Sequence, residues 1–439
     1  MDKPRLRSVE DLADWRLCLG CGACAYICPK RRIRLVDFVD EGIRPVVAAE
    51  DCGSCTLCLE VCPAYENDHT AVNSAPGLIE EVKALCGPVL EIWEGHAADP
   101  EVRFAGSSGG LITALSLYCL EKQEMHGVLH IGSDPNNPLR NKTTMSRTRP
   151  ELMRKTGSRY APASACDSLD LIEQAPAPCV FVGQPTEVSA LRKSQALRPG
   201  LDANVGLTIS FFCAGSPATR GTLELLRSMG IAPQDVEAFR YRGNGWPGKF
   251  AVTLKGEASP SHFRSYQESW AFVQAYRPFS VHLCPDGTGE DADISCGDPW
   301  YREVKAGEAG TSIVVVRTEI GRKILTGAIQ AGYVKLQPAE PWKLLKSQEN
   351  LFEKRGAIWG RVATLRAFGL PAPTLKGFSL FKNWLLLSLE NKLRSTLGTA
   401  RRIIRRNYFT PLRLTGNSRV SDSQRDSSPY GESEVDISR

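Results

Sequence analysis

The chain has 439 residues, long enough for two or three domains with real cores. Its composition, 42% apolar and 23% charged, excludes a wholly disordered chain, a collagen-like fibre and a polytopic membrane protein. A net charge of +5, from 54 basic and 49 acidic residues, is too slight to argue for nucleic acid.

The N-terminus, MDKPRLRSVEDLADW, has no apolar core of a secretory signal, and no run of about 18 apolar residues offers a membrane span. Fifteen cysteines in a chain read as leaderless point to thiolates kept reduced for metal, and hence to the cytoplasm.

Residues 1–75 hold the dense cysteines. CLGCGACAYICP supplies Cys18, Cys21, Cys24 and Cys28, followed by Pro29. CGSCTLCLEVCP supplies Cys52, Cys55, Cys58 and Cys62, followed by Pro63. Both copies follow C-x2-C-x2-C-x3-C-P, the two-cluster bacterial ferredoxin spacing, in which the fourth cysteine ligates the other cluster. Three thiolates two residues apart wrap one face of a cubane, and the fourth sits on a helical turn leading away. The spacing predicts one [4Fe–4S] cluster on Cys18, Cys21, Cys24 and Cys62, and a second on Cys52, Cys55, Cys58 and Cys28. Gly20, Gly22 and Gly53 allow backbone N–H groups to approach sulfur. A pair of structural zinc sites is the alternative, but zinc motifs rarely carry three cysteines at this spacing with a trailing Cys-Pro. Two clusters make this α+β ferredoxin-like domain an electron conduit.

Residues 76–335 alternate strands and helices, which argues for an α/β core. Strands are expected at 128–132, 179–183, 205–213 and 311–318, and helices at 108–123, 218–229 and 319–330. Ser107, Ser108, Gly109 and Gly110 form a small polar turn at a helix start. It suits a pyrophosphate, or else is an ordinary cap with glycines packed on a strand. In RGNGWPG, Arg242, Gly243, Gly245 and an exposed-looking Trp246 form a rigid loop that lies against a flat ring system or caps the core. Asp286, Glu290, Asp293 and Asp298 read as a solvated loop or as carboxylates capping turns, with paired acid/base work as the alternative. His126 and His130 read as structural.

Six stretches carry a family resemblance: FAGSSGGLITAL (104–115), FVGQPTEVSALRK (181–193), ISFFCAGSP (209–217), YRGNGWPG (241–248), CPDGTGEDADISCGDPW (284–300) and TSIVVVRTEIG (311–321). In this order they resemble the coenzyme F420 hydrogenase/dehydrogenase beta-subunit family, which includes 7-hydroxymethyl chlorophyll a reductase. The resemblance implies an α/β flavin-binding domain over 76–335 that holds FAD and is fed by iron–sulfur clusters. Its implied flavin contacts are Ser107, Ser108, Gly109, Gly110, Arg242, Gly243, Gly245 and Trp246. Several members bind a further cluster through scattered cysteines. At those places this chain has Thr186, Cys213, Val281 and Cys284, so two of four thiolates are missing. Cys179 and Cys296 are the nearby substitutes.

Residues 336–413 form a helical basic extension. Lys376–Arg406 reads as one amphipathic basic helix, with Trp384, Leu385, Leu386, Leu387 and Leu389 as its apolar body and Arg401, Arg402, Arg405 and Arg406 beyond it. It lies on an anionic membrane surface, on a partner, or on the protein's own core. Residues 414–439 are Ser-rich and read as a disordered tail.

The expected function is an iron–sulfur flavoprotein oxidoreductase that passes electrons between a ferredoxin or another redox protein and a small-molecule two-electron substrate. The rivals are a non-catalytic electron-transfer subunit and a membrane-associated accessory protein with vestigial redox function.

Overall fold

The structure, a computed structural model, describes residues 6–48, 55–305 and 307–414. Its strands are β1 (Ile33–Phe38), β2 (Gly42–Val47), β3 (Glu66–Asp68), β4 (Glu91–Ala97), β5 (Val128–Asp134), β6 (Asn137–Ser146), β7 (Cys179–Gly183), β8 (Val205–Phe211), β9 (Val236–Arg240), β10 (Lys249–Leu254), β11 (His262–Ser265), β12 (Ile294–Gly297), β13 (Ser312–Val316), β14 (Val334–Pro338) and β15 (Thr374–Lys376).

Eight strands form the central sheet in the order β14-β4-β13-β12-β8-β7-β5-β6. The pairs β5/β7, β7/β8 and β8/β12 are parallel, and the flanking pairs are antiparallel. Strands buried on both faces read as unbroken apolar runs, as in Ser312–Val316, where every residue is buried. Helices Leu111–Lys122 and Glu319–Gln330 cover one face through Leu111, Leu115, Ile324 and Leu325. On the other face helix Pro185–Gln195 packs Val188 and Leu191 against Phe181. Each such large apolar side chain contributes about 1.5–3 kcal/mol when fully buried. A second, three-stranded sheet, β11-β10-β9, is held by Tyr241 and Phe250.

The ferredoxin-type region docks directly on this body. Ala23, Ile27 and Val61 share a core with Leu169, Ile172 and Phe181. Val9, Leu12, Leu17 and Leu59 share another with Phe279, Ile358, Val362 and Ile403.

The basic extension is less separate than its composition suggests. β14 runs across the expected boundary at residue 335 and belongs to the central sheet. β15 pairs in parallel with β3, so residues 374–376 complete a sheet begun at residues 66–68. The single helix expected over 376–406 is two, Leu380–Leu385 and Leu389–Arg405, separated at Ser388, whose side chain caps the second. The expected disordered tail lies, from residue 415 onward, outside the described residues.

Candidate redox site

The first cysteine loop is shaped by glycine. Gly22 sits at φ +91, and a Cβ there would lie 2.8 Å from the Asp167 nitrogen. Only glycine lets the loop turn and touch the neighbouring domain at once. That contact is built from backbone: Cys166 N–H donates to the Cys21 carbonyl at 3.0 Å, and Ser164 Oγ to the Gly20 carbonyl at 2.6 Å.

Cys18, Cys21, Cys24 and Cys62 lie within electrostatic range of one another. Burial, then the neighbouring sulfurs, pushes the Cys21 and Cys24 thiols well above their ordinary value and Cys62 up to about 12. Such a set is stable as thiolates only with a compensating cationic group among them. Gly20 N–H donates to Cys18 Sγ and Arg32 N–H to Cys28 Sγ, each at 3.4 Å. Backbone N–H groups of Ala64 and Tyr65 bond to Cys62. Thiols with N–H···S bonds fit an iron–sulfur cluster. Of the second predicted set, Cys28, Cys55 and Cys58 are among the described residues, whereas Cys52 and Gly53 lie outside them.

Sheet topology gathers the remaining candidates at one edge. β4, β7, β8 and β12 run in the same direction, so their C-terminal ends share a side of the sheet. From those ends emerge the Ser107–Gly110 turn, Gln184–Thr186, Cys213 and Asp298. In open α/β sheets this is the edge where ligands bind.

A cavity at that edge is lined by Gly20 and Arg44 from the cysteine-rich region, by Thr186, Cys213, Val281 and Cys284, and by Lys354 from helix Glu349–Ala367. The four positions matched to the family's further cluster therefore do converge, with two thiols instead of four. Neither nearby cysteine restores the set. Cys179 and Cys296 are buried in the sheet core and do not line the cavity. Val281 fills part of the space: a Cβ on Gly215 would come within 1.9 Å of its Cγ1. Burial raises Cys284 to about 12 although the Lys354 ammonium acts in the opposite direction, and burial lowers Lys354. Glu187, unremarked in the sequence, shapes the wall by accepting from Ala165 N–H at 2.9 Å and Gln184 N–H at 2.7 Å. Burial lifts its carboxyl to about 7.

The two predicted flavin segments are brought together. Arg242 Nη2 donates to the Ser107 carbonyl at 2.6 Å, and Gly245 N–H to the Phe104 carbonyl at 2.9 Å. The individual contacts agree with the alternative reading, a turn whose glycines pack on a strand and a Trp246 that caps the core. Gly109 N–H donates to Ser312 Oγ, and a Cβ on Gly109 would lie 2.7 Å from the Gly95 carbonyl oxygen. These glycines therefore serve close packing of turn on strand. Arg242 is buried and held by Asp298, so it presents no free guanidinium. Trp246 is 5% exposed, not open to solvent. It stacks on Trp300 at 5.5 Å, its Nε1 donates to Asp298, and Arg302 lies over its ring at 5.4 Å. Gly243 and Gly245 hold positive φ angles of +107 and +103, and a Cβ on Gly243 would lie 2.6 Å from the Ala105 carbonyl oxygen. Arg242 and Trp246 thus brace the site rather than offer a free ring or charge to a ligand.

The acidic run is not a solvated loop. Asp286, Glu290 and Asp293 are buried. Asp286 caps its turn by accepting from the N–H groups of Thr288, Gly289 and Glu290. Asp293 accepts from Thr208 and Thr318. Glu290 pairs with Arg355 and with His69, whose other ring nitrogen is 2.9 Å from Asp291. His130 is structural, bonded to Ser146 Oγ at 2.9 Å.

A ferredoxin-type dicluster region docked on a mixed α/β sheet defines an iron–sulfur redox protein. The chain belongs to the coenzyme F420 hydrogenase/dehydrogenase beta-subunit family. The family's N-terminal profile matches residues 92–170 and its C-terminal profile residues 178–341, while a 4Fe-4S dicluster domain matches 17–65. Among curated relatives, the coenzyme F420-dependent sulfite reductase of Methanocaldococcus jannaschii is 22% identical over 77% of this chain, which spans only 50% of that protein. The coenzyme F420 hydrogenase subunit beta of Methanococcus voltae is 25% identical over 63% of this chain and 95% of its own length. A chain of the F420-reducing [NiFe] hydrogenase complex from Methanosarcina barkeri shares the fold, with a TM-score of 0.52 and 21% identity over 66% of this chain and 98% of that one.

Proposed function

We propose that this protein is a cytoplasmic flavin-dependent oxidoreductase. It exchanges single electrons with a ferredoxin or another redox protein, and electron pairs with a small-molecule substrate. The observation that carries the reading is the docking of the Cys21 loop, through Ser164 and Cys166, on the sheet edge that also carries the Ser107–Gly110 turn. Ser158 N–H donates to Ser107 Oγ at 2.6 Å, and six residues later Ser164 holds the cluster loop. Six residues reach at most about 22 Å, so the two ends of this relay are close.

Two [4Fe–4S] clusters on the eight cysteines would carry single electrons, and FAD at the sheet edge would convert them to pairs. For that FAD, Ser107, Ser108, Gly109 and Gly110 supply a turn without carboxylate at a helix start, and Gly243 and Gly245 supply the facing loop. Arg242 and Trp246 hold that loop in place through Asp298 and keep water from the wall behind it. The relatives' names carry coenzyme F420, which makes a deazaflavin one substrate to test here.

Anaerobically purified protein should show a flavin spectrum over a broad iron–sulfur absorbance, yield extractable FAD, and turn over an acceptor with dithionite or reduced ferredoxin. Protein made with ample riboflavin that never holds flavin sinks the oxidoreductase reading. Protein that holds flavin and clusters but passes electrons only to a partner enzyme is an electron-transfer subunit.

A further inference from the structure

Helix Leu389–Arg405 is amphipathic in the reverse sense for a surface helix. The side turned to the protein carries Ser395, Thr399 and Ile403, all buried. Ser395 accepts from Trp384 Nε1 at 3.0 Å and packs against Gly360 of helix Glu349–Ala367. The side turned outward carries Leu389 (72% exposed), Leu393, Leu397 (64%) and Ile404 (61%). At 3.6 residues per turn these four fall within an arc of about 80°. Phe381, Leu385 and Leu386, in the preceding helix and turn, are also exposed. An ordinary surface helix buries such a stripe. A contiguous exposed one marks an interaction surface.

The charges beside the stripe say what it meets. Arg394, Arg401 and Arg405 are exposed and lie along one border of the leucine arc. The one acidic residue of the helix, Glu390, is neutralised by Arg394 at 2.7 Å. Apolar and cationic strips side by side, without an acidic strip, complement a surface that is oily inside and anionic outside. No helix among the described residues is long and apolar enough to cross a membrane.

We propose that the outward face of Leu389–Arg405, with Phe381, Leu385 and Leu386, is a peripheral docking surface for an anionic lipid bilayer. The helix lies in the interface plane with its leucines in the acyl boundary and its arginines among the headgroups. Trp384 and Leu387, expected from the sequence to insert, face inward against Trp359 and Gly356. The surface is independent of the redox reading.

The test is co-sedimentation of the full chain with phosphatidylcholine vesicles, with and without about 30% phosphatidylglycerol. The protein should pellet only with the anionic vesicles and should be released at about 0.5 M salt. Leu389→Ser/Leu393→Ser/Leu397→Ser should abolish binding, and each Arg→Gln change at 401 or 405 should lower partitioning about fivefold. Iron content of every variant reports that the fold survives. Equal recovery with and without phosphatidylglycerol, or unchanged binding by both variant sets, overturns the proposal. So does a leucine variant that merely converts a dimer to a monomer without any vesicle binding by the parent, which would assign the stripe to a second copy of the chain.

Discussion

Arg242 and Asp298 meet through two parallel contacts, Nη1 to Oδ2 and Nη2 to Oδ1, both 2.8 Å. The same carboxylate accepts from Trp246 Nε1, and the same guanidinium reaches the Ser107 carbonyl. One ion pair therefore clamps the Gly-rich loop to the turn before helix Leu111–Lys122. Removing one partner of such a pair leaves a buried charge uncompensated, at a cost of about 3–5 kcal/mol.

Asp298→Asn should loosen Trp246 from Trp300, red-shifting its fluorescence, and should weaken retention of flavin. Iron content should stay unchanged. Unaltered tryptophan emission together with unaltered flavin retention would show that the clamp is not needed.

Iron should be about eight atoms per chain, from two cubanes. Cys213→Ser and Cys284→Ser should leave that value unchanged, whereas Cys21→Ser should remove about four. A reproducible content near twelve, falling in the Cys284→Ser protein, would mean that the interdomain cavity holds a cluster after all.

Replacement of Gly109 by valine should separate the turn from Gly95 and Ser312. The expected result is loss of flavin with the cluster absorbance retained. Ser108→Ala, which removes the bond to the Thr311 carbonyl and the one accepted from Ser312 Oγ but introduces no backbone clash, should have a smaller effect. Equal flavin content in the Gly109→Val protein would move the cofactor away from this turn.

The His69 cluster makes stability depend on pH in two directions. Burial opposes charge on His69, but Asp291 and Glu290 outweigh it and raise its pKa from 6.5 to about 10. Its contribution is full below about pH 6.5 and is lost as pH rises toward 10. Burial also opposes charge on Glu290, yet Arg355 and His69 lower its pKa from 4.5 to about 2. That contribution is full above about pH 4.5 and is lost as pH falls toward 2. Denaturant midpoints should fall on both flanks, and His69→Gln should flatten the alkaline one. A His69→Gln protein with the parent's alkaline slope would contradict the assignment.

Some of this was legible in the sequence. The twin cysteine spacing follows from local pattern, as do the strands expected at 128–132, 179–183 and 205–213 and the helices expected at 108–123 and 319–330, found at Val128–Asp134, Cys179–Gly183, Val205–Phe211, Leu111–Lys122 and Glu319–Gln330. The antiparallel flanks of the sheet were not legible, since pairing between β4 and β13 is decided by residues more than two hundred positions apart. Nor was the burial of Trp246, Arg242 and the acidic run. Charged and aromatic residues in a Gly-rich stretch look solvated until their partners, Asp298 and Trp300 for the loop and Arg355 and His69 for Glu290, arrive from elsewhere. The C-terminal helix misled in a specific way. Its composition signalled amphipathicity, but Trp384 and Leu387 fall before the break at Ser388, which turns them inward and leaves the next leucines outside.

The pairing of β15 with β3 has a consequence for biosynthesis. Lys376 and Glu66, joined across it, are 310 positions apart. At about 5–20 residues per second, a ribosome needs roughly 15–60 s to supply the second strand after the first. During that interval the cysteine loops have been made, but the helices that pack over them, with Ile358, Val362 and Ile403, have not. The core that Val9, Leu12 and Leu59 share with Ile358, Val362 and Ile403 therefore cannot be complete until the C-terminal segment has been made.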